Sequence, residues 1–124
     1  MKIETTILKN LLQNEDYARK VLPFLNDEYF TENSDKIIYN QINNFILKYN
    51  SLPNKEALNI ELSEAKITEE DFKESVNLIN EIGKDDQEFS DLSWLLDSTE
   101  KFCQDKAIYN AVVESISILD NPKS

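Results

Sequence analysis

The side chains of this chain best able to do chemistry are its carboxylates. There are 24 Asp and Glu against 13 Lys and Arg, a net charge of −11. Glu69, Glu70 and Asp71 are contiguous, and two carboxylates can share acid–base work. They also open an apolar periodic segment, where acids favour the N-terminal end of the helix dipole, and a solvated helix start is the preferred reading. No EF-hand pattern accompanies them. The remaining inventory is exclusionary. With no histidine, a Ser–His or Cys–His pair cannot be written. With Cys103 as the sole cysteine, neither a Cys/His zinc site nor an internal disulfide can form. Gly83 is the only glycine, so a P-loop and a dinucleotide fingerprint are both excluded. Arg19 is the only arginine, which leaves little for clamping phosphate. The chain reads as a non-enzyme with no catalytic residues, no cofactor and no metal.

The frame for these residues is a single domain of 124 residues, 40% apolar, enough for one core. One glycine and three prolines are too few for the turns of a sandwich or barrel, and the expected class is all-α. The acidic balance disfavours nucleic-acid backbones, which call for a basic stripe, and suits a partner protein. A lone cysteine fits a reducing, cytoplasmic setting. The N-terminus lacks the apolar core of a signal peptide, and no run reaches the roughly 20 apolar residues of a membrane helix.

Periodicity predicts a first helix over residues 3–13 from Ile3, Ile7, Leu8, Leu11 and Leu12. Asn14 is placed to cap a second, with an apolar face of Tyr17, Ala18, Val21 and Leu22, ended or bent by Pro23. In the corner that follows, Asp27 and Glu28 should face water while Leu25, Tyr29 and Phe30 turn inward. Asn33 or Ser34 should cap a third helix to about Tyr49, its core arc made by Ile38, Ile42, Phe45 and Tyr49 with Ile37 and Ile46 on its flanks. Asn54 should cap a short helix containing Ala57, Leu58 and Leu62. Thr68 and Asp71 outline a capping box for a helix with Phe72, Val76, Ile79 and Ile82 on one face, stopped by a left-handed Gly83. A polar connector over 84–91 leads to a last helix from Asp91 to about Leu119, roughly 40 Å long.

That last helix departs from the single apolar stripe of a surface helix. At about 100° per residue, Leu95, Phe102, Tyr109, Val113 and Ile116 share one stripe. Trp94, Ile108, Val112 and Leu119 lie to one side, and Ala107, Ala111 and Ile118 to the other. Two readings are open: a helix central to the core, or a protruding helix that packs on another chain or on a segment absent from this one.

Three stretches, DYARKVLPFLNDEYF (16–30), IIYNQINNFILKYNSLPNKEALNIEL (37–62) and SWLLDSTEKFCQDKAIYNA (93–111), together resemble the N-terminal domain of DnaB-type replicative helicases, the T-even-like bacteriophage branch above all. Where that family often has a histidine near the start of the third helix, this chain has Ser34 and Asp35. The resemblance implies a bundle of about five helices over residues 1–90. The helix over 91–120 would be the first arm of a projecting hairpin, and 121–124 the start of a linker. The second arm and the ATP-hydrolysing RecA-like domain would lie outside this chain. The family's paired hairpins form a collar that assembles the hexameric ring and engages primase. The implied partners are therefore other helicase subunits and primase, with a helicase loader as a further one, in the host cytoplasm, without strong nucleic-acid binding or a membrane. The interface residues expected on this basis are Trp94, Phe102, Ile108, Tyr109, Val112, Val113, Ile116 and Leu119. Phe102 sits on the central stripe and suits the core best; Trp94 and Tyr109 suit an interface by residue type. A free-standing acidic regulator that mimics DNA is the alternative, and it would need its carboxylates in a regular row.

Overall fold

The computed structural model describes residues 2–84 and 91–120, with side chains through residue 118. The connector expected over 84–91 falls largely, and the linker over 121–124 wholly, outside the described residues. Every regular element among the described residues is helical: α1 (Ile3–Gln13), α2 (Glu15–Val21), α3 (Asn33–Tyr49), α4 (Lys55–Ser63), α5 (Glu69–Ile82) and α6 (Leu92–Asp120), with two single 3-10 turns between α2 and α3. The class is all-α, as the composition requires.

The helix starts are set by short polar side chains. Asn14, Asn54 and Thr68 each accept a hydrogen bond from the backbone N–H three residues on, at Tyr17, Ala57 and Asp71, which satisfies one of the donors left open in a first turn. At the start of α6, Asp91 Oδ1 accepts from the Ser93 N–H, two residues on. The expectation for α3 is corrected: the residue before its first turn is Glu32, with no side-chain cap, and Asn33 and Ser34 lie inside the helix. Gly83 is also corrected. Its φ is −84° rather than positive, so the left-handed region is not what it provides. A Cβ there would stand 2.8 Å from the Ile79 carbonyl oxygen in the last turn of α5 and 3.1 Å from Lys55 Cδ; the backbone carbonyl is the hard obstacle, and the flexible Lys55 stem of α4 the lesser one.

Helices α1, α3, α4 and α5 pack into the body, with α2 and the first half of α6 across α1. Ile7, Leu8, Leu11, Tyr17, Val21, Ile38, Ile42, Leu58, Leu62, Ile79 and Ile82 are fully enclosed. The buried face of α3 is narrower than its apolar pattern suggests. Tyr39 joins Ile38 and Ile42 inside, whereas Phe45 is only partly covered and Tyr49 is exposed. In the last turns of α3, Ile46 still packs on the core, while the rings of Phe45 and Tyr49 lie against each other with centroids 4.7 Å apart. On α5 the packed face is Ser75, Leu78, Ile79 and Ile82, and Phe72 is 38% exposed. At the ends of α1 and α5, Gln13 Nε2 donates to the carbonyls of Ile82 (2.8 Å) and Lys84 (3.1 Å).

Between α2 and α3 the chain turns a corner. Pro23 occupies the first 3-10 turn (Leu22–Phe24), because it cannot donate to a continuing helix. In the second (Asp27–Tyr29), the Asn26 side chain accepts from the Glu28 N–H. Leu25 and Phe30 are buried, Tyr29 and Asp27 half-buried, and Glu28 exposed. Asp27 is held by Asn40 Nδ2 at 3.2 Å, and the Leu25 carbonyl accepts from the Tyr39 hydroxyl. This corner is where the long helix comes to rest.

Candidate protein interface

Helix α6 is 29 residues long, or roughly 43 Å at the α-helical rise. Its two halves have different surroundings. Over residues 92–106, Leu95, Thr99, Phe102 and Cys103 recur at spacings of three and four and are all buried, the single stripe that docks a helix. Phe102 packs its ring on Phe30 (centroids 5.9 Å apart), which stacks in turn on Tyr39 at 5.4 Å. Thr99 meets the Tyr17 hydroxyl at 2.5 Å inside the body. Burial pushes the Tyr17 phenol up to about 12, although the Thr99 hydrogen bond opposes it, and burial pushes the Cys103 thiol up to about 11. A thiol so placed is a poor nucleophile.

The transition falls at Lys106 and Asn110. Lys106 Nζ lies 3.4 Å from Thr31 Oγ1 and near the rings of Phe102 and Tyr109, 6.0 and 5.9 Å from their centroids. Asn110 Nδ2 donates to the Glu28 carbonyl at 3.1 Å, the last described hydrogen bond between the helix and the body. Both residues clasp the corner between α2 and α3. They are ordinary polar residues in the sequence, and nothing there marks them; only the packing of α6 on the corner does.

From Ala107 to Ile118 every side chain but Asn110 is exposed. Ile108 and Tyr109 are 65% and 63% exposed, and Val112, Val113, Ile116 and Ile118 lie near half exposure or above. Of the residues expected at an interface, Trp94, Ile108, Tyr109, Val112, Val113 and Ile116 are solvent-facing in the single chain. Phe102 lies within the chain's own core, and the Leu119 side chain falls outside the described residues. Ile118 adds an exposed apolar group on the opposite face. Trp94, near the base, is separated along the helix from the others. The surface is an apolar rod about 18 Å long, tied to the body only near its base at Asn110 among the described hydrogen bonds. Burying one such side chain is worth about 1.5–3 kcal/mol, so the rod strongly favours a covering partner.

Among the described residues no three His, Cys, Asp or Glu converge on a metal-sized site. No helix among them is long and apolar enough to cross a membrane.

A helical body whose last helix ends in an exposed apolar run is the architecture described, and by direct comparison the chain resembles the DnaB-type replicative helicases. Over 115 residues, 93% of this chain, it is 32% identical to the DnaB-like replicative helicase of Enterobacteria phage T4. The chain spans 24% of that relative's length. No family model matches the chain.

Proposed function

We propose that this chain is the N-terminal collar domain of a phage replicative DNA helicase, an assembly and partner-binding module in DNA replication with no catalysis of its own. The observation that carries the reading is the exposed apolar run of α6 over residues 107–118, in a chain similar over 93% of its length to a replicative helicase. The arm pairs with a second, antiparallel arm and with the arms of a neighbouring subunit, and the collar so formed supports the hexamer and receives primase. A rod about 18 Å long and 10 Å wide falls well short of the roughly 800 Å² per partner of a stable interface. One arm alone therefore associates weakly, and two arms per subunit are needed.

In the full-length protein, the double variant Val112→Asp with Ile116→Asp should abolish hexamer formation in sedimentation velocity and leave the body folded by circular dichroism. Retained hexamers would overturn the reading, and so would a body that unfolds. In the isolated chain, light scattering should show weak self-association that rises with concentration. Excess duplex DNA should not compete with any partner of this domain, as it would for a DNA mimic.

A further inference from the structure

Asp35 is a buried charge that the arm does not explain. It stands in the first turn of α3, is 3% exposed, and its Oδ2 has no hydrogen-bond partner among the described residues. The side chain lines an open depression between α1, α3 and α5, together with Glu32, Glu74 and Glu81, and Lys2 is the one cation among the lining residues. Burial pushes the Asp35 carboxyl above the usual carboxylate range; Lys2 opposes this, and Glu4, Glu32 and Glu81 add to it. The helix dipole favours an acid at this position, but a carboxylate out of water with an unfilled acceptor remains costly. Any cation brought to it recovers that cost.

The layout selects among cations. No three acidic groups among the described residues converge closely enough for a metal ion; here exposed Glu32, Glu74 and Glu81 surround the buried Asp35. A planar guanidinium, with five N–H donors in a fixed fork on a long apolar stem, can reach the floor and still meet the rim. The chain's net charge of −11 would speed the approach of a basic segment. We propose that the depression over Asp35 is a docking site for an arginine side chain presented by a basic segment of a partner protein. None of its lining residues is on α6, so the site is separate from the arm and does not depend on the arm's role.

The test is amide NMR on the 124-residue chain at neutral pH and low salt. It is titrated with the blocked peptide acetyl-Gly-Ser-Arg-Ser-Gly-amide, with the same peptide carrying neutral citrulline in place of arginine, and with magnesium chloride. The arginine peptide should shift amides clustered at residues 32–36 and 74–81, and citrulline should not. Asp35→Asn should weaken binding about tenfold, as expected for losing a hydrogen bond to a charged group. Glu81→Gln, an exposed rim change that leaves the fold alone, should weaken it by a smaller factor and decides the matter if Asp35→Asn does not fold. Three results would overturn the proposal. The first is shifts scattered over the whole acidic surface. The second is equal shifts with citrulline. The third is the same localised shifts with magnesium at lower concentration than with arginine.

Discussion

The two halves of α6 are one uninterrupted helix, yet the half that docks is the less apolar of the two. Residues 92–106 hold six apolar and five charged side chains; residues 107–120 hold nine apolar and two charged. Hydrophobic content alone would bury the second half first. What decides is arrangement. In the first half the inward residues Leu95, Thr99, Phe102 and Cys103 keep to one arc, which one flat body can cover. In the second half apolar groups point to more than one side, so no single neighbour could satisfy them, and the body ends beneath them.

The comparison can be broken by mutation. Phe102→Ala should cost the isolated chain about 3–5 kcal/mol in urea denaturation, because it empties a site between Phe30 and the helix. If it costs no more than a change on the arm, the docked half is not docked.

Thiol labelling gives the next largest contrast. Cys103 is buried and its thiol is raised to about 11. It should react with a disulfide reagent at least about a hundredfold more slowly than Val112→Cys in a Cys103→Ser background, since it must await local opening. Equal rates would mean that the base of α6 opens as readily as its arm.

A third measurement isolates the contact between α2 and α6. Tyr17→Phe leaves the Thr99 hydroxyl without its partner and should cost about 1–3 kcal/mol at neutral pH. The wild-type chain should also weaken in alkali. The Tyr17 phenol is raised from 10.0 to about 12, so its contribution is intact below pH 10 and lost as pH climbs towards 12. Cys103 acts with the same sign between 9 and about 11. Tyr17→Phe should retain only the remaining groups' part of that decline; an unchanged profile would place the titration elsewhere.

The smallest effect is expected on the arm. Ile116→Asp should change the isolated chain's stability by less than about 1 kcal/mol, against the loss of hexamers that the proposed collar role predicts for Val112→Asp with Ile116→Asp. A greater loss would show that the arm touches its own body.

Much of this architecture was legible in the sequence because it is local. The caps at Asn14, Asn54 and Thr68, the break at Pro23 and the helix periods all depend on neighbours a few residues away. The over-apolar second half of α6 was legible too, as a pattern too wide for one face. Which half of α6 would dock was not, because that depends on where the body ends. Neither was the exposure of Tyr49 and Phe72, because periodicity gives the face of a helix and not how far along it a neighbour extends. Asp35 read as an ordinary first-turn acid, and only the packing of α1 and α5 around it turned it into a buried charge.

The last hydrogen bond between α6 and the body, from Asn110 to the Glu28 carbonyl, makes the corner at residues 26–30 a fulcrum. From Asn110 to its end at Asp120 the helix is a stiff lever of about 15 Å, so a tilt of about 10° at the corner would carry its tip through about 3 Å. The corner therefore governs aim as well as attachment: small repacking around Asn26 and Phe30 would redirect the end of α6 without altering a residue on that helix.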